Sequence, residues 1–223
     1  MSGYVELHCH SCYSLLDGVS QPEALLDRAR ELGMDALAIT DDNALYGAVE
    51  FWVGAQERAM HAIIGAELRL SDATLENDEM NRLVLLAEDS TGYTNLCRLI
   101  SMAQLAGTKG NARLTLPQLA GHTAGLIALT GGYRGRVNRL LMAGQRSQAA
   151  AWLQTLQSLF APGSLYVELQ HHLHRQDATL LPDLAALATE LGLPVVATNG
   201  VHYSERHQHR LYDVLLAIDR NLT

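Results

Sequence analysis

Short apolar runs alternate along the chain with longer segments in which apolar positions recur every three or four residues. The first pattern predicts buried strands and the second amphipathic helices. Val5-Glu6-Leu7 opens the series as a strand. From Pro22 to Gly33, proline stands at a helix start, Leu25, Leu26, Ala29 and Leu32 share a face, and Gly33 is the expected C-cap. Ala36 to Thr40 predicts a second strand, 46–60 a helix and 62–68 a third strand. The polar stretch 71–81 predicts a loop with some tendency to disorder. Residues 83–86 form a fourth strand, 93–105 a helix, and the small, polar residues 107–114 a loop. A fifth strand at 126–130 precedes helices at 134–143 and 147–160. A sixth strand at 165–169 leads to a helix at 176–191 closed by Gly192. A seventh at 194–198 leads to a last helix at 205–219. Strands mostly separated by helices predict a parallel α/β sheet with helices outside it, either doubly wound or closed into a barrel. Neither repeats nor linkers interrupt the pattern, so one domain over 1–223 is expected.

Composition narrows the setting. With 48% hydrophobic residues, the 223-residue chain can bury one sizeable core. No apolar run approaches the roughly 18 residues of a membrane span, and the first residues lack the basic and apolar regions of a signal peptide. A cytoplasmic protein with no membrane partner is expected. Its three cysteines (Cys9, Cys12, Cys97) form no disulfide framework, which fits a reducing compartment. The net charge of -8 opposes broad binding to a phosphate backbone. The lone lysine, Lys109, sits in no phosphate-binding loop.

Chemistry-capable residues gather at strand ends, where the active face of an α/β barrel lies. His8 and His10 end the first strand, Asp41 and Asp42 follow the second, and Glu67 is late in the third. His171 and His172 follow the sixth, and His202 the seventh. On an extended strand His8 and His10 point one way and Cys9 the other. Two imidazoles with carboxylates suit Zn, Fe or Mn, although a pair of partly exposed histidines reads equally well. Cys9-x-x-Cys12 lacks the second cluster a zinc knuckle needs. Asp17 also reads as a turn residue, Asp41-Asp42 as helix N-caps, and His171-His172 as a surface loop. Glu67, an acid inside an apolar strand, asks for a cation, either an arginine or a metal. His61, His122, His174, His207 and His209 are expected in solvent.

Several stretches carry a family resemblance: Leu7-His8-Cys9-His10-Ser11 with Tyr13 to Gly18, Ala38 to Gly47, Ile64-Gly65-Ala66-Glu67, and Gly92 to Leu99. Tyr166-Val167-Glu168-Leu169 and Ala197 to Tyr203 complete them, in order over nearly the whole chain. They resemble the PHP (polymerase and histidinol phosphatase) superfamily, and within it the N-terminal domain of C-family, DNA polymerase III alpha-type enzymes. The resemblance implies a distorted (β/α)7 barrel with a site for up to three metal ions that polarise a phosphate and activate water. Carried over position by position, the implied ligands are His8, His10, Asp17, Glu67 and His202, with Asp42 where active members usually have histidine. Met102, Gly132 and Gly200 stand where relatives have histidine, cysteine and aspartate. The site is therefore expected to hold one or two ions (Zn, Mn or Fe), with a metal-free role left open. The wording around His8-Cys9-His10 and Glu168 to His172 is closest to the error-prone branch. The function implied is a structural or 3′–5′ exonuclease domain of a replicative or error-prone polymerase. A free-standing phosphoesterase and a metal-free scaffold are the alternatives. The remaining polymerase domains are the expected partners, with DNA reached only through them. A palm domain is expected to continue beyond Thr223, in the same chain or as a split gene.

Overall fold

The computed structural model describes residues 3–71, 81–107 and 110–221. Most of the loop expected at 71–81 lies outside the described residues. The chain divides into two compact units, Met1–Ala66 with Gly200–Thr223, and Glu67–Asn199.

In the first unit, α1 (Pro22–Glu31) starts on its proline, and Arg28 and Arg30 in its last turn offset the helix dipole. Its Leu25, Leu26 and Ala29 are buried with Cys9, Leu37, Ile39, Phe51, Ala55 and Met60 in one apolar cluster. β1 (Ala36–Ile39) pairs in parallel with β2 (His61–Arg69), Ala36 opposite His61 and Ile39 opposite Ile64. Between them runs α2 (Ala48–Glu57), which packs on α1. The first expected strand forms no ladder. It makes only isolated parallel bridges, Glu6 to Leu37 and Cys9 to Val201. One physical reason is visible at Cys9, whose amide donates to the Thr40 hydroxyl at 2.9 Å rather than to a neighbouring carbonyl. The last helix is also shorter than expected. Residues 206–208 form a 3-10 turn closed by the Glu205–Gln208 capping box, ahead of α8 (His209–Asp219).

The second unit holds β3 (Arg82–Ala87), α3 (Ser90–Ala106), α4 (Leu116–Ala120), β4 (Leu126–Leu129), α5 (Arg136–Met142), α6 (Arg146–Leu159), β5 (Leu165–Gln170), α7 (Asp177–Leu191) and β6 (Val195–Thr198). β4, β5 and β6 are parallel in sequence order. β3 and β4 are antiparallel, Val84 opposite Leu129 and Ala87 opposite Leu126, which corrects the all-parallel expectation. A parallel partner needs one crossover to the far end of the sheet. Here the chain re-enters the sheet at the end it left, Leu126 beside Ala87. The short α4 was not anticipated, although Thr115 and Gln118 give it a full capping box. At the return point Glu88 N–H donates to Gly125 O, and a Cβ on Gly92 would lie 1.7 Å from that oxygen, so only glycine fits. α3 covers β3 and β4, α7 covers β5, and α5, α6 and α7 pack together.

Asp89 caps α3, its carboxylate accepting from Gly92 N–H at 2.8 Å. Asp89→Ala is expected to cost about 1 kcal/mol, read as a lower urea midpoint with unchanged slope, whereas Asp89→Asn keeps most of it. An unshifted midpoint in the alanine variant would show that the cap is energetically idle. Among the described residues no helix is long and apolar enough to cross a membrane.

Candidate metal centre

The segment 8–10 is extended and pinned by Val201, which accepts from His10 N–H at 2.8 Å and donates to His8 O at 2.9 Å. Its side chains alternate as a strand requires. Cys9 joins the apolar core, and burial, then the Glu6 and Asp41 carboxylates, push its thiol well above the ordinary range. His8 and His10 are buried with their Nε2 atoms 3.2 Å apart. The Val201 bridge also delivers the next residue. The His202 ring stacks on His10, centroids 4.9 Å apart and 8° from parallel, and Tyr212 of α8 stacks on His202 at 4.8 Å.

Asp17 reaches this pair from a tight turn. Ser14 O accepts from both Asp17 N–H and Gly18 N–H, and a Cβ on Gly18 would lie 1.8 Å from Ser11 O. Glycine is therefore required directly after the aspartate. Asp17 O lies 2.7 Å from His202 Nδ1, and its carboxylate lies 3.6 Å from that nitrogen and 3.9 Å from His10 Nδ1. His10, Asp17 and His202 present ligand atoms within 4.8 Å of one another, a geometry that could hold a metal ion.

Asp42 takes a different part. Its Oδ1 accepts from Asn43 Nδ2 at 2.8 Å, and it does not belong to that triad. Its neighbour Asp41, buried and bonded to Ser11 and Ser14, connects to His10 through the Ser14 hydroxyl. Burial raises the Asp41 carboxyl from its ordinary value, and the serine hydrogen bonds act against that rise. Ser11 and Ser14 were missed as contributors, and Asp41, noted at its strand end, was given no supporting role. The Ser11-x-x-Ser14 spacing immediately after the histidines was the available signal.

Glu67 opens the second unit fully buried, and its Oε2 accepts from Arg82 Nη1 at 2.5 Å. The cation expected beside this acid is thus present as an arginine. Gly132 has a left-handed backbone (φ 50°), and a Cβ there would come within 2.2 Å of Gln170 Oε1. The Gln170 amide fills that space, donating to Glu168 and Thr198 and accepting from Tyr133 N–H. His172 lies against Tyr133, whereas His171 is exposed. Asp177, buried at the start of α7, accepts from the Tyr133 hydroxyl and from the amides of His172 and His174. Met102 is half-buried on α3, and Gly200 is left-handed at φ 59°. Of the histidines assigned to solvent, His61, His174, His207 and His209 are exposed, while His122 is half-buried.

The donor set suits a divalent ion. Imidazoles with a carboxylate fit Zn, Mn or Fe. The 3.2 Å between His8 and His10 nitrogens lies in the range for two ligands each about 2.0–2.1 Å from one zinc. A profile of the PHP domain matches residues 6–172. The chain belongs to the PHP family. It is 36% identical over 222 residues to the DNA polymerase III subunit alpha of Treponema pallidum, covering 96% of this chain and 19% of that one. An error-prone DNA polymerase of Pseudomonas fluorescens is 38% identical over 222 residues, covering 100% of this chain and 20% of its own. This PHP chain therefore spans about a fifth of the length of the curated relatives it matches. A crystal structure from Bifidobacterium adolescentis, assigned as a metal-dependent phosphoesterase, superposes with a TM-score of 0.59 at 15% identity. The superposition covers 91% of this chain and 88% of that one, and it establishes a shared mixed α/β fold.

Proposed function

We propose that the chain acts as the N-terminal PHP domain of a bacterial replicative or error-prone C-family DNA polymerase. In this reading residues 1–223 are one domain with the distorted (β/α)7 barrel of its family. It holds one or two divalent ions and serves the polymerase as a structural element and as a 3′–5′ phosphodiester hydrolase. The observation that carries the reading is the meeting of His10 and Asp17, from one stretch near the start of the chain, with His202 from near its end. The ligands proposed are His8, His10, Asp17, Glu67 and His202, with Asp42 as a further candidate. The remaining polymerase domains are the proposed partners in a cytoplasmic replication or repair role, DNA arriving through them.

Divalent ions held there would supply Lewis acidity and a bound water acidic enough to act as a nucleophile near neutral pH. The chain's own residues do the positioning. His8, His10 and His202 offer nitrogen donors, the ring stack with Tyr212 fixes the His202 plane, and Asp17 brings negative charge to balance a cation. The carbonyl of Asp17 orients His202 through Nδ1, the outer contact that ligating histidines ordinarily make.

The test is end-labelled single-stranded DNA incubated with the protein and Mn or Zn. Expected is stepwise shortening from the 3′ end, abolished by chelator and by His202→Ala or Asp17→Asn. Shortening that persists in both variants would remove the activity from this site. Cleavage of an aryl phosphate but not of DNA would favour the free-standing phosphoesterase. Protein that retains no metal and cleaves nothing would favour the scaffold, a reading that Gln170 in the space beside Gly132 independently supports.

A further inference from the structure

Ser14 Oγ stands at the junction of three buried or half-buried groups. It lies 3.1 Å from His10 Nδ1, donates to Asp41 Oδ1 at 2.6 Å, and accepts from Asp42 N–H at 3.1 Å. A hydroxyl has one proton and two lone pairs. The 2.6 Å bond to a carboxylate uses the proton, because an ionised carboxylate can only accept. Asp41 is held in that role by Ser11, whose amide and hydroxyl donate to it at 2.7 and 2.8 Å. Toward His10, then, Ser14 can only accept. The imidazole must carry its proton on Nδ1, and Nε2 keeps its lone pair.

The contact at the other end of the ring is compatible with that tautomer. His10 Nε2 lies 3.2 Å from His8 Nε2, so without a metal the His8 ring is the donor there. With the His8 ring deprotonated at Nε2, both nitrogens would be available to hold a divalent ion.

We propose that Ser14, backed by Asp41, is a positioning residue that locks His10 in the Nδ1-protonated tautomer and so reserves Nε2 for a ligand. The inference rests on the metal-binding reading above for its purpose, but not for its geometry. It extends the site to residues that contact no ligand themselves.

The experiment records long-range nitrogen-15 correlation spectra of histidine-labelled, metal-free protein at about pH 8, where unperturbed imidazoles are neutral. Zinc affinity is then measured by competition with a chromophoric chelator. Expected for the parent is a His10 signal with a protonated Nδ1 and an unprotonated Nε2. Ser14→Ala is expected to give a tautomer mixture and zinc binding about 10- to 100-fold weaker, the usual loss for an outer-shell partner. Ser14→Thr, which keeps the hydroxyl, restores both readouts, whereas a purely structural role would move neither the tautomer nor its rescue. An Nε2-protonated His10 in the parent overturns the proposal without any variant. So does an unchanged tautomer in Ser14→Ala. If the parent binds no zinc yet the tautomer responds to Ser14→Ala, the relay stands and the metal reading fails.

Discussion

Replacing His10 with alanine is expected to weaken retention of a divalent ion by more than about 100-fold, since loss of an outer-shell partner alone costs about 10- to 100-fold. His10 touches several parts of the site at once. His10 faces His8 at 3.2 Å, stacks on His202, lies 3.9 Å from Asp17 and rests on Ser14. Its removal takes away a donor and also the surface that orients His202. Metal content after dialysis against a weak chelator, with a competition titration, gives the result. Because His10 is buried, the thermal transition of the variant must be recorded beside it. A folded His10→Ala protein holding as much metal as the parent would exclude this residue as a ligand.

The second large effect concerns the buried ion pair of the second unit. Arg82→Ala is expected to destabilise the protein by about 3–5 kcal/mol, the range for stranding one member of a buried pair. Glu67 is fully buried and Arg82 nearly so, and their 2.5 Å contact is charge-assisted. The penalty comes mainly from the carboxylate left in a low-dielectric interior rather than from the strength of the bond lost. The double variant Glu67→Gln with Arg82→Met should therefore be more stable than Arg82→Ala alone, because it strands no charge. Urea unfolding of the three proteins decides. A single-variant loss below about 1 kcal/mol, the range of surface pairs, would mean that water reaches Glu67 in solution.

Both predictions bear on how far the site can be read from residues alone. Alternation along an extended chain separated Cys9 from His8 and His10, and the core position of Cys9 agrees with it. Glu67 in an apolar run announced a buried charge that needs a partner. The pattern could not choose between metal and arginine, and Arg82 lies 15 residues further along the chain. Asp42 was singled out because its position matched a ligand of the family. The backbone turns Asp41 under the serines, while the Asp42 carboxylate accepts from Asn43. In Asp41-Asp42 nothing local distinguishes the two, since the choice depends on a loop 27 residues away in sequence.

What the sequence by itself determined is local: most helices with their faces and the Gly192 cap, most strands, and which acids and imidazoles sit near strand ends. These follow from periodicity and backbone preference, which act over a few residues. Tertiary structure alone decided the antiparallel β3–β4 pair, the bridged first segment, the Ser14–Asp41 support of His10, and the filling of the space beside Gly132 by Gln170. Each depends on groups far apart in the chain meeting at hydrogen-bond or van der Waals distance. Such contacts are selected by packing of the whole unit, and no short window of sequence contains both partners.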